Sequence, residues 1–159
     1  MNRKLALFAA AAAVVSTAAL AQTVPNIGLD PAFGTVQLEA GFLPDPHNVD
    51  IIAGGPINAA AAGLADGCNG FIAEAPDFRL DYAAQPNIPL HIFVTAEADT
   101  TLVINQPDGT WICNDDTNGL NPVVSFAEPL TGVYDIYIGT YGEPANPAGV
   151  LSISEVVTQ

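Results

Sequence analysis

The chain has 159 residues, half of them hydrophobic, with 17 acidic residues, three Lys or Arg and a formal charge of −14. So few basic side chains exclude nucleic-acid binding, which depends on releasing counterions from phosphates, and they disfavour anionic membrane surfaces. The same balance favours cations and cationic partners, while acidity alone also keeps an exported protein soluble.

The N terminus reads as a removable export signal. Arg3 and Lys4 form a positive start, Leu5 to Val15 an apolar run, and Ala19-Leu20-Ala21 a small-residue cleavage site. The run is shorter than the ~20 residues that span a bilayer, and no cysteine follows it for lipid attachment. Residues 1–21 are therefore expected to leave a periplasmic or secreted chain with no membrane insertion. About 138 residues suit one domain. Arg79 is then the only Lys or Arg against all 17 acidic residues, a formal charge of about −16.

Residues 22–33 carry two prolines and no periodicity, which predicts an extended lead-in ahead of a β domain over 34–159. Gly34 to Phe42 reads as a first strand, broken by Pro44-Asp45-Pro46 because proline cannot donate to a ladder. Val49 to Ala53 follows, closed by Gly54-Gly55-Pro56. Ile57 to Ala65 is alanine-rich and predicts a turn of helix or a loop, with Pro56 at its first position and Gly63 at its end. Gly70 to Ala73 is a short strand. Asp77 to Tyr82 alternates, with Phe78, Leu80 and Tyr82 inward and Arg79 and Asp81 outward. Pro89 to Ala96 places Leu90, Ile92 and Val94 on one face and His91, Phe93 and Thr95 on the other.

Thr100 to Asn105 and Trp111 to Cys113 form a hairpin around Pro107-Asp108-Gly109. Proline presets φ at the first corner and Gly109 takes the left-handed conformation that closes the turn. Pro122 to Ala127, Gly132 to Thr140 and Gly149 to Val156 complete about nine short strands, the pattern of an all-β antiparallel sandwich or barrel. Cys68 and Cys113 are the only cysteines. In an exported chain such a pair usually bonds, and closing a loop of about 45 residues stabilises by roughly 4 kcal/mol. The alternative, metal ligation by two lone thiols without a nearby histidine, makes a poor zinc site.

Asp99-Thr-Thr-Leu-Val-Ile, the turn Pro107-Asp108-Gly109, the acidic Asn114-Asp115-Asp116, Asn121-Pro122 and the strand Gly132 to Tyr141 together resemble the bacterial pre-peptidase C-terminal domain family. The likeness runs over about Leu80 to Glu155. Cys68 to Asp77 and Trp111 to Cys113 are similar to patterns in short exported chains that carry this domain alone. The resemblance implies a jelly-roll-like β-sandwich with an accessory role: binding a protein, a glycan or another cell-envelope component, or assisting secretion. Some members of the family bind calcium.

Four chemistries were weighed on the residues. Serine peptidase chemistry needs a nucleophile, a base and an orienting acid in one place. Ser125, Ser152 and Ser154 lack any nucleophile-elbow motif; Ser152 and Ser154 read as the wet face of the last strand, His91 as an outward strand residue and His47 as a loop residue. Adjacent Asp115 and Asp116 diverge on a loop and make no glycosidase pair by themselves. Asp99, Asn114, Asp115, Asp116 and Asn121 offer the oxygen ligands that calcium prefers, or simply form a solvated acidic turn. Among the aromatics, Tyr134 reads as core and Trp111 as packed on the disulfide, leaving Tyr137 and Tyr141 as surface candidates for a ligand platform. These readings predict a non-catalytic exported binding module, with a calcium-stabilised, self-associating adhesin as the alternative and a hydrolase third.

Overall fold

The computed structural model describes residues 24–117 and 119–156; the export-signal reading of residues 1–21 lies outside them. Eleven strands and one helical turn follow in chain order: β1 (Thr35–Glu39), β2 (His47–Ile52), β3 (Ile57–Asn58), α1 (Ala59–Ala62), β4 (Phe71–Ile72), β5 (Phe78–Ala83), β6 (Leu90–Ala96), β7 (Thr100–Asn105), β8 (Trp111–Asn114), β9 (Val123–Phe126), β10 (Gly132–Thr140) and β11 (Ala148–Ser154). They form two stacked sheets, as expected. One has four strands in the order β2-β11-β6-β9. The other has seven, with β10 at its centre between β5 and β4 on one side and β7 and β8 on the other.

Alternation builds the core. Phe78, Leu80, Tyr82, Leu102, Ile104, Tyr134, Ile136 and Ile138 of the large sheet meet Ile51, Ile92, Val94, Leu151 and Ile153 of the small one, all buried. Each such side chain contributes about 1.5–3 kcal/mol on full burial. The hairpin turn forms as read: Gly109 has φ 82° and its N–H donates to the Gln106 carbonyl at 2.9 Å.

Several expectations are corrected. The sandwich is not wholly antiparallel, because β1 pairs with β5 in parallel from Thr35 beside Arg79 to Glu39 beside Ala83. The helical turn does not start on Pro56. Ile57 and Asn58 form β3 first, and the Asn58 side chain caps α1 by accepting the Ala61 N–H at 2.9 Å. Gly63 does end it, at φ 66°. Ser152 and Ser154 are buried, not wet. Ser152 donates to Asn48 Oδ1 at 2.7 Å, and Ser154 bonds the backbone of Val156. His47 opens β2, with its ring 6.3 Å from that of Phe78.

The β3–α1–β4 segment at the end of the large sheet forms a thin apolar layer against that sheet's outer face. Ile57, Ala59, Cys68 and Ile72, from β3, α1 and β4 and the loop between them, cover Val103 and Tyr137. The Cys68–Cys113 disulfide, with Cα atoms 5.0 Å apart, fastens this layer to β8. At one end of the sandwich the Glu155 carboxylate accepts the Gly41 N–H at 2.8 and 2.9 Å and the Tyr82 hydroxyl at 2.8 Å. This closes the β1–β2 loop onto the end of β11.

The lead-in is tied down by one side chain. Arg79 Nε donates to Asp135 at 2.6 Å, and its terminal nitrogen donates to the carbonyls of Ile27 and Leu29 at 2.6 and 3.2 Å. Asp135 is its cross-strand neighbour on β10. Backbone bonds from Ala32 and Phe33 to Pro76 and Asp77 continue the attachment. Replacing Arg79 by Ala leaves the buried Asp135 without its cation, an arrangement that costs about 3–5 kcal/mol. The expected outcome for Arg79→Ala is a large drop in urea midpoint together with new thermolysin cleavage near Ile27 or Leu29. An unchanged midpoint would contradict this role.

Asp77 is 2% exposed and its carboxylate accepts the Ile138 N–H at 2.6 Å, filling a gap in the β10 ladder. Burial pushes its pKa up to about 7, against the opposing hydrogen bond. The folded state therefore holds a proton that the unfolded chain has released, so stability falls as pH rises from about 4 to about 7 and then levels. Asp77→Asn keeps an acceptor for Ile138 without a buried charge. The difference in unfolding free energy between this variant and the native chain should grow in the variant's favour by about 1.4 kcal/mol per pH unit across that window. A pH-independent difference would refute the assignment.

Candidate functional site

Tyr137, expected at the surface, is fully buried beneath the β3–α1–β4 segment, with the Trp111 ring tilted against it at a centroid distance of 5.8 Å. Its face is the one alternation predicts; the covering layer is what the pattern did not reveal. Tyr141 is 50% exposed and is the one aromatic among the large exposed apolar residues described. The two therefore do not form a platform.

The oxygen cluster is partly assembled. Burial, with the charges of Asp116 and Asp115 nearby, raises the Asp99 pKa. The amide oxygens, however, are already engaged. Asn121 Oδ1 accepts the Ala96 N–H at 2.9 Å, and Asn114 Oδ1 accepts the Val123 N–H at 2.9 Å and the Thr117 hydroxyl at 2.8 Å. Asp115 accepts from the Asn69 side chain at 3.3 Å. Among the described residues no group of three or more His, Cys, Asp or Glu is arranged to hold a metal ion. Asn114 and Asn121 thereby pin the loop to the backbone of β6 and β9.

The structure brings one serine to one histidine. Ser125 Oγ and His91 Nδ1 lie 2.8 Å apart as cross-strand neighbours on β9 and β6. Burial lowers the His91 pKa, and Asp45 opposes this only through space. Among the described residues no carboxylate hydrogen-bonds the ring. A base without an orienting acid, on a regular sheet face, lacks the constellation that activates a hydroxyl.

A concave feature lies elsewhere, at the end of the small sheet opposite the Glu155 closure. It is a cleft of about 650 Å³ crossing β2, β11 and β6, within the range of ligand sites. Its registers are Ile52 beside Ala148, Ile51 beside Gly149 beside Ala96, and Asp50 beside Val150 beside Thr95. Ile51 belongs to the core, so by alternation Asp50, Ile52, Ala148, Val150 and Thr95 face outward. Gly149 is closely packed on the core side of β11, where a Cβ would stand 3.2 Å from the Ala96 methyl and 3.4 Å from Ile51. Phe33 forms one wall, and it is held there by the lead-in that Arg79 anchors. Asp50 and Glu97 stand on the rim, and no Lys or Arg lines the cleft.

Sequence reasoning missed this cleft. Its signal was present: Ile52 and Val150 are outward apolar residues on strands whose other outward positions are polar, such as Asn48, Asp50 and Ser152. Among the described residues no helix is long and apolar enough to cross a membrane.

No family model matches the chain, and no curated protein does. Among solved structures the chain is similar to the crystal structure of Aeromonas hydrophila PliG, a periplasmic lysozyme inhibitor of g-type lysozyme. The identity is 14%, over 79% of this chain and 98% of that chain, with a TM-score of 0.36. A likeness at that level carries no argument about this chain's fold or function.

Proposed function

We propose that the chain is an exported, non-catalytic binding module whose partner is a cationic protein. The observation that carries this reading is the distribution of charge. All 17 acidic residues lie among the described positions, and the single Lys or Arg among them, Arg79, is spent inside the fold on Asp135 and two backbone carbonyls. The surface therefore attracts positive partners and repels copies of itself. This weighs against the self-associating alternative, in which two like surfaces would meet with no cation to pair them. A glycan partner would need stacking aromatics, and burial of Tyr137 removes half of the expected pair. The accessory role agrees with what the pre-peptidase C-terminal resemblance implies.

The test is capture from a cell-envelope extract with the purified processed chain, at low and at high ionic strength. The expected result is retention of a basic protein whose association slows steeply as salt screens the approach. Three results would contradict it: a partner that is acidic, binding indifferent to salt, or turnover of a protein or glycan substrate that disappears in Ser125→Ala.

A further inference from the structure

We infer that the partner is held in the cleft at the end of the small sheet, by an extended segment presenting one apolar side chain between two Lys or Arg. This rests on the reading of a cationic protein partner and names where and how it docks. The floor is apolar: on the outward face of the sheet Ile52 is 46% exposed and lies beside Ala148, with Val150 one step along β11 on the same face. The carboxylates stand on the strands flanking β11, Asp50 on β2 and Glu97 just past the end of β6. Two strand spacings and a two-residue offset along the strands separate them, roughly 12 Å.

That pattern has a simple complement. In an extended segment, residues i, i+2 and i+4 share a face at intervals of about 6.6 Å. An aromatic or aliphatic side chain at i+2 enters the floor, and cations at i and i+4 reach the two rims. A second copy of this chain cannot supply the complement, since its one Lys or Arg among the described residues is held by Asp135. Asp50 and Glu97 would instead face other carboxylates.

The probe is the peptide acetyl-Lys-Ser-Phe-Ser-Lys-amide, followed by amide chemical shifts of the labelled processed chain. Two control peptides replace Phe by Gly or both Lys by Glu. The expected result is shifts concentrated on residues 50–52, 95–97 and 148–150 with the first peptide, and none with the Glu control. Asp50→Asn with Glu97→Gln should weaken binding about fivefold. Glu39→Gln with Glu128→Gln changes net charge equally, at residues that line other concavities, and should leave binding within about twofold. The proposal is overturned if the Gly peptide binds as well, if shifts spread over the acidic surface, or if both double variants weaken binding alike. It is also overturned if raising the chain's own concentration moves the cleft amides, which would assign the cleft to a second copy. If a basic envelope protein is captured equally by native chain and cleft variant, the cleft fails and the module reading survives. If the peptide maps to the cleft but no basic protein is captured, the module reading alone fails.

Discussion

The rest of the structure depends on where one guanidinium goes. Arg79 has a cross-strand carboxylate beside it and two lead-in carbonyls above it, and its donors are directed at all three. Arginine suits this task because its planar, permanently charged fork bonds several acceptors at once. The consequence is both structural and functional. The lead-in is bonded along Glu74 to Asp77 and sets Phe33 against the core and the cleft. At the same time the one Lys or Arg among the described residues has its donors occupied, which leaves the surface with little but acid to offer a partner.

The architecture follows from a two-sheet sandwich whose large sheet is covered on both faces. The inner layer is an ordinary sandwich core. The outer layer is thin, built from two-residue strands, a single turn of helix and a disulfide, and it buries the second face of the large sheet around Tyr137 and Val103. The helical turn could not persist alone, since nucleation costs more than one turn returns. Its Asn58 cap, its Gly63 terminus and the Cys68 anchor hold it against the sheet. Among the described residues the small sheet has no such cover at its β2–β11–β6 end, where Ile52 stays 46% exposed.

Local pattern made much of this legible. Alternation placed Phe78, Leu80 and Tyr82, and again Leu90, Ile92 and Val94, on the core side, because one period-two rule governs both strand and burial. Turn chemistry located Gly109 and Gly63, where a left-handed backbone is needed. Export and an even cysteine count gave the disulfide. What was illegible is non-local. Parallel pairing of β1 with β5 joins segments some 44 positions apart, and no residue in either announces it. Tyr137, Ser152 and Ser154 sit on faces that alternation calls outward, and only distant segments or neighbouring strands cover them. The candidate site was half legible. Asp99, Asp115 and Asp116 do gather, but Asn114 and Asn121 use their oxygens to hold backbone, a choice composition does not reveal. The cleft's own clue, apolar Ile52 and Val150 on outward positions, is visible only once the pairing of β2 with β11 is known.

The most direct test of the central claim is the nuclear magnetic resonance signal of the Arg79 Nε–H in the processed chain at neutral pH. The account predicts a single, slowly exchanging signal whose position stays fixed as ionic strength rises to about 1 M, where screening acts beyond only ~3 Å. A signal exchanging at the rate of a free arginine, or one that moves with salt as exposed pairs do, would show that the cation is at the surface and would contradict the account.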